Sequence, residues 1–168
     1  MMTVRIICLA LLGLATAANA DDKPATPAYA LAPGPSLDVS LKLAQAAISA
    51  CQARGFSASA SVVDSAGLVK VTLRADGAPK PPVAAPLKAA TAAAFDAPGS
   101  EMEPRTKTDP AFAAQIDAHK DMYNPHAGSL PLHENGKVIG GLAVADVPHE
   151  AADACAREAL DAVAPKYK

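Results

Sequence analysis

The sequence has no tryptophan, and only three tyrosines and three phenylalanines among its 168 residues. Fifteen basic residues stand against seventeen acidic ones, and they form no basic stripe. Because nucleic-acid-binding domains carry clustered positive charge, we expect no nucleic-acid partner. The nucleophile elbow, the phosphate loop and the dinucleotide fingerprint are missing too, so no catalytic residue is assigned.

Long apolar runs are absent beyond the N-terminus, so we expect no membrane span there. The N-terminus has a positive charge at Arg5, an apolar run over residues 6–18 and the small-x-small pattern Ala18-Asn19-Ala20. This pattern is typical of a secretory signal peptide over residues 1–20, the alternative being an uncleaved membrane anchor. Four prolines in residues 21–35 predict an extended tether. The sequence therefore predicts a periplasmic or secreted protein.

Cysteine is scarce as well. Cys8 lies in the predicted signal peptide, which leaves Cys51 and Cys155 in the exported chain. An even number of cysteines in an oxidising compartment favours a disulfide, with two separate buried thiols as the alternative. No Cys-x-x-Cys or His-x-x-x-His accompanies them, so their spacing does not indicate a metal site.

Hydrophobic periodicity and turn residues predict one domain over residues 36–168, with the element order αββααββα. The first helix is predicted from apolar residues at helical spacing, namely Leu41, Ala44, Ile48 and Cys51. Asp109-Pro110 predicts a later helix start, and Glu101 and Glu103 precede it in a predicted loop. Asn135-Gly136 between apolar runs predicts a hairpin. Hairpins require antiparallel strands, so we expect an α/β (α+β) fold with a single antiparallel sheet and packed helices.

Three segments carry a resemblance to a known family. They are Val62-Val63-Asp64-Ser65-Ala66-Gly67, Arg74-Ala75-Asp76-Gly77-Ala78 and Lys88-Ala89-Ala90-Thr91-Ala92. Their order and spacing resemble the GlcG/HbpS family of small α/β proteins, which includes haem-binding members. The resemblance covers about residues 37–160. It implies a profilin-like or PAS-like sandwich with both terminal helices on one sheet face, which would bring Cys51 near Cys155.

The resemblance also implies a homo-oligomer, and unprotected sheet edges favour pairing between subunits. The small residues at 140–143 are expected to permit close subunit approach. Haem or a related tetrapyrrole is the first ligand to test. Such a pocket requires an axial donor, apolar walls and cations for the propionates.

Six residues are candidates for this ligand site. His126 in a loop and His133 at a strand end are candidate axial haem or metal ligands. Lys88 and Thr91 match the family's Lys-Ala-x-Thr-Ala segment and are the preferred pocket walls. The other two candidates are a cation and an aromatic residue, Arg74 and Phe95. His119 and His149 are predicted to be solvated surface residues.

The sequence thus favours a secreted small-ligand-binding domain. One alternative is an enzyme of haem or small-molecule catabolism, as some names in the family suggest. Another is an accessory oligomeric protein without a ligand, because the glycines expected before the second hairpin and after the last strand are reduced here. A haem absorption band separates the first interpretation from the last, and haem turnover with a reductant identifies the enzyme.

The predicted signal peptide leads to a direct test. Cleavage after Ala20 should leave Asp21 as the first residue of the exported protein. Intact mass spectrometry of protein from the exporting host measures this end. A mass that still includes residues 1–20 would contradict the prediction.

Overall fold

The computed structural model describes residues 32–168, so the predicted signal peptide and most of the predicted tether lie outside the described residues. The elements in chain order are α1 (Leu37–Gln52), β1 (Ser59–Asp64), β2 (Val69–Arg74), α2 (Ala84–Phe95), α3 (Gly99–Thr108), α4 (Pro110–Ala118), β3 (Ser129–Glu134), β4 (Lys137–Ala145) and α5 (His149–Val163), followed by a 3₁₀ turn at Pro165–Tyr167. Within the same residues, no helix is long and apolar enough to cross a bilayer.

The four strands form one antiparallel sheet in the order β2-β1-β4-β3. Alternate residues of the central strands face different helices. Val62 and Leu142 pack in the main core with α1 and α5, whereas Val63 and Ala143 pack against α2. The sheet therefore lies between two helical layers, and the predicted α+β class and the pairing of the terminal helices are confirmed.

Local capping and turn chemistry explain several element boundaries. The Ser36 hydroxyl accepts a hydrogen bond from the Val39 amide at 3.3 Å and caps α1. The Asp109 carboxylate accepts one from the Phe112 amide at 3.0 Å and caps α4, as its sequence predicts. The β3–β4 hairpin turns through Asn135-Gly136, both with positive φ, so the predicted Asn-Gly turn is confirmed.

The buried face of α1 differs from the predicted stripe. Leu41 is 37% exposed, whereas Leu43 and Ala47 are fully buried. Because α1 packs against both the sheet and α5, its inward face is wide and is made mainly of alanines. Ala44 and Cys51 of the predicted stripe are fully buried and Ile48 packs against the core, so the prediction is wrong only at Leu41, which falls outside this face.

A disulfide joins α1 to α5. The Cα atoms of Cys51 and Cys155 lie 5.4 Å apart, and both residues are fully buried in the main core. The predicted pairing is confirmed, and the alternative of two separate thiols is wrong. The bond closes a loop with a sequence separation of 104 residues, so it constrains nearly the whole domain.

The segment between α2 and α4 is a helix, which the sequence interpretation missed. Glu101 and Glu103 were expected in a loop, but both lie on α3. Pro104 lies within this helix, where proline removes a backbone donor and costs stability, and it obscured the helical pattern. The helical position of Glu103 is what brings its carboxylate toward the loop before β3.

The two glycines of β4 serve packing within the subunit. A Cβ on Gly141 would lie 2.1 Å from the carbonyl oxygen of Ala89 on α2, and one on Gly140 would lie 2.1 Å from that of Val63. The expectation that they permit close subunit approach is wrong, because β4 is a central strand. The sheet edges are β2 and β3, and the homo-oligomer stays a prediction.

The end of the predicted tether contacts the domain. The Pro33 carbonyl accepts a hydrogen bond from the Ser65 amide at 2.9 Å, and Pro35 is fully buried. The chain is therefore anchored on the β1–β2 turn before α1 begins.

Reduction of the Cys51–Cys155 bond should lower the melting temperature on the order of 10 °C, since closing a loop of this size contributes up to about 4–5 kcal/mol. Thermal unfolding with and without a reductant measures the shift. The matched control is the Cys51→Ala/Cys155→Ala variant, whose melting temperature should be low and insensitive to reductant. Equal melting temperatures for oxidised and reduced wild type would contradict the expectation.

Candidate functional site

A cavity of about 540 Å³ opens between the start of α2, the end of β4, the loop before β3 and the start of α5. This volume lies within the range of small-molecule sites, about 300–1,000 Å³. The wall contains both polar and apolar residues. The polar residues are Lys80, Lys88, Asn124, His126, Asp146 and His149, and the apolar ones are Pro81, Val83, Ala84, Ala145, Val147 and Pro148.

Lys88 is the buried cation of this cavity. Only 4% of the residue is exposed, and its Nζ donates a hydrogen bond to the Val144 carbonyl at 2.7 Å. Gly128, with φ +102°, leaves room for it, because a Cβ there would lie 2.9 Å from that Nζ. Burial lowers the pKa of Lys88 to about 8, although the negative charges of Glu103 and two aspartates oppose the shift.

Thr91 positions the loop that carries His126. Its hydroxyl donates to the Leu87 carbonyl at 2.6 Å and accepts from the Asn124 amide at 2.7 Å. The side-chain oxygen of Asn124 in turn accepts from the His126 amide at 3.2 Å. Thr91 itself is fully buried, so it acts on the cavity through Asn124 and not as a wall residue.

Glu103 joins the loop to α5. Its Oε2 accepts a hydrogen bond from the Ala127 amide at 3.0 Å. Its Oε1 lies 2.8 Å from Nδ1 of His149 and 3.3 Å from Nδ1 of His126. Partial burial raises the pKa of Glu103, but the Ala127 and His126 hydrogen bonds and the charges of both histidines outweigh burial and lower it.

Gly99 lets α3 approach this loop closely. A Cβ at Gly99 would lie 2.2 Å from the carbonyl oxygen of His126, a distance that real side chains do not reach. The first residue of α3 therefore rests directly on the loop backbone. Glu103, one helical turn later, faces the two histidines as a result.

The remaining predicted site residues, Arg74, Phe95 and His133, do not line this cavity. His133 is on β3, where its Nε2 is 2.7 Å from the Asp96 carboxylate, and it lines a separate cavity of about 330 Å³. The Arg74 guanidinium donates to the carbonyls of Ala78 and Lys80. The structure therefore brings together Lys88 and His126 of the six candidates and supports them with Thr91.

Phe95 belongs to an aromatic cluster. Its ring packs edge-on against Phe112 and Tyr123, with centroids 5.2 and 5.0 Å away. This cluster fills the space between α2 and α4 and does not line the 540 Å³ cavity.

Sequence reasoning missed Glu103 and His149 as partners of His126. The three residues come from three separate segments, so no spacing motif connects them. One signal was available: Pro98-Gly99 followed by acidic Glu101 is typical of a helix start and would have predicted α3. His149 was expected to be solvated, and it is half-exposed while also contacting Glu103.

Similar solved structures share this fold. A double mutant of HbpS from Streptomyces reticuli is 28% identical, with a TM-score of 0.70, 92% of this chain and 99% of that chain being covered. A PduOC–haem complex is 25% identical, with a TM-score of 0.71 and coverage of 78% and 96%. Klebsiella pneumoniae protein ORFY, 22% identical with a TM-score of 0.70 and coverage of 76% and 88%, shows the fold alone.

No curated protein sequence matches this chain. The family described as haem degrading protein HbpS-like matches residues 36–161, from the cap of α1 almost to the end of α5. The match covers most of the chain and includes every element that forms the cavity. The chain therefore belongs to the HbpS-like family.

Proposed function

We propose that the protein binds haem in the 540 Å³ cavity, with His126 as the iron ligand and Lys88 as a cation for a propionate. The observation that carries the proposal is that an imidazole and a buried ammonium group face one cavity with an apolar wall. A similar structure, PduOC, is a haem complex. The family description, which names a haem-degrading protein, supports the same ligand class.

The residues of the cavity have the chemistry that haem requires. Haem proteins hold the iron through an axial side chain such as histidine and surround the ring with apolar groups. Pro81, Val83 and Val147 provide apolar surface, and Lys80 is a second cation beside Lys88. Bound haem would supply an iron centre, and the residues of this chain would hold and orient it.

Asp146 is the one acid in the cavity wall and opposes a propionate electrostatically. Its carboxylate accepts a hydrogen bond from the Ser59 hydroxyl at 2.6 Å, and this bond satisfies part of the hydrogen-bonding capacity of the carboxylate. The backbone of Asp146 has φ +72° and turns the chain from β4 toward α5. Asp146 therefore has a structural role at this turn, and the two lysines determine how an anionic ligand is attracted.

Glu103 orients the proposed iron ligand. Nδ1 of His126 faces the Glu103 carboxylate at 3.3 Å, which leaves Nε2 as the nitrogen available to iron. A carboxylate on one imidazole nitrogen fixes the ring and raises the basicity of the other nitrogen. Glu103 is thus a positioning residue for haem.

The buried disulfide supports the proposal that the protein works outside the cytoplasm. Disulfides persist in oxidising compartments and are rare in reducing ones. The Cys51–Cys155 bond joins two elements of the main core, so the fold benefits from an oxidising environment.

Haem added to the purified protein should produce a shifted Soret band, and His126→Ala should alter or abolish it, because the iron loses its ligand. The matched control is His133→Ala, which removes an imidazole from a different cavity and should leave the band unchanged.

No spectral change in the wild type at tens of micromolar haem would overturn haem binding. A band altered only in His133→Ala would move the ligand to the second cavity. Decay of the band with a reductant would extend the function to haem degradation.

Haem affinity should fall as the pH rises through about 8, because Lys88 is charged below its pKa and neutral above it. Loss of one ammonium–carboxylate contact corresponds to roughly a tenfold change in Kd. Haem titrations from about pH 7 to about pH 9.5 measure this slope. The control variant Lys88→Met keeps the length of the side chain and should bind haem more weakly, without the step near pH 8. An identical step in Lys88→Met would contradict a role for Lys88.

A further inference from the structure

Three side chains with metal-binding atoms meet beside the cavity. Glu103 comes from α3, His126 from the loop before β3, and His149 is the first residue of α5. One ligand atom from each residue lies within 4.8 Å of the others. Three separate parts of the fold thus converge on one point, and one of them, His149, has no role in the proposed haem ligation.

The distances within this cluster are close to those of a coordination sphere. Zinc bonds to nitrogen and oxygen at about 2.0–2.2 Å, so two ligands of a tetrahedral ion lie about 3.3 Å apart. Nδ1 of His126 is 3.3 Å from Oε1 of Glu103, and Nδ1 of His149 is 2.8 Å from the same oxygen. The three ligand atoms all lie within 4.8 Å of one another, so a small rotation of the exposed histidine rings would bring them to this spacing.

The carboxylate is held in place by the backbone. The Ala127 amide donates to Oε2 of Glu103 at 3.0 Å, so Oε1 is the oxygen that faces the two imidazoles. Hydrogen bonds of this kind orient metal ligands in established sites. Gly99 fixes the distance between α3 and the loop, so the three ligand atoms belong to a packed part of the structure.

The cluster is accessible to ions from solution. The side chains of His126 and His149 are 52% and 50% exposed, and that of Glu103 is 25% exposed. Both histidines also line the large cavity. An ion held by these three groups would keep one or more coordination positions open toward that cavity, as catalytic and not structural metal sites do.

We propose that Glu103, His126 and His149 bind a divalent transition-metal ion. Two imidazoles and one carboxylate are a donor set that suits Zn²⁺ and Fe²⁺ and does not suit Ca²⁺ or Mg²⁺, which prefer oxygen. The site uses Nδ1 of His126, whereas the proposed haem ligation uses Nε2. Metal binding is therefore tested without haem, so that its failure and the failure of haem binding can be told apart.

Isothermal titration of chelator-treated full-length protein with Zn²⁺, in the absence of haem, tests the site. We expect one ion per chain, and Co²⁺ should give the visible absorption of a site with nitrogen ligands. Glu103→Gln and His149→Asn should each weaken Zn²⁺ binding by at least about tenfold, because each removes a ligand. His119→Asn and His133→Asn are the matched controls and should bind Zn²⁺ as the wild type does.

Circular dichroism and melting temperatures of all four variants establish that they fold. Absence of Zn²⁺ binding by the wild type would overturn the proposal. So would Zn²⁺ affinity that is unchanged in folded Glu103→Gln and His149→Asn proteins. A normal haem band in a His149→Asn variant that has lost Zn²⁺ binding would show that the two sites are distinct.

Discussion

The backbone-to-backbone contact between α2 and β4 is the constraint on which the site depends. Gly141 has no side chain, so the Ala89 carbonyl can lie directly over the central strand. At this depth Lys88 reaches the Val144 carbonyl at the end of β4, and Thr91 reaches the loop before β3. If a side chain at position 141 held α2 further from the sheet, Lys88 and Thr91 would lose these two contacts. The cavity is therefore a product of close packing and of the alanine-rich composition that permits it.

The ammonium group of Lys88 is subject to two opposing electrostatic effects in the cavity. Burial works against the ammonium group of Lys88, and the fold compensates with the Val144 carbonyl and with acids at 103, 146 and 153. The acids raise the pKa of Lys88 and so offset part of the effect of burial, which leaves this pKa at about 8. Glu103 has two tasks in this arrangement, since it contributes to the field at Lys88 and also fixes both histidines. One carboxylate consequently connects the cation and the imidazoles of the cavity.

The parts of the fold set by local chemistry could be predicted from sequence. Asn135-Gly136 and Asp109-Pro110 each determine their own geometry within a few residues. The position of Leu41 could not be predicted from periodicity, because two packing partners widen the buried face of α1. No local sequence pattern predicts the contact between His126 and Glu103 either. It depends on where α3 lies, and that is a tertiary property.

Gly99 offers a way to trace this arrangement through divergent relatives. Its Cβ position coincides with the His126 carbonyl, so any other residue there would move α3 away from the loop. Glu103 follows four residues later on the same helix. A glycine and a glutamate at this spacing, placed before a loop histidine, form a sequence signature of the assembled cluster. Such a signature can divide relatives as distant as the 28% and 25% identical structures into chains with and without the cluster.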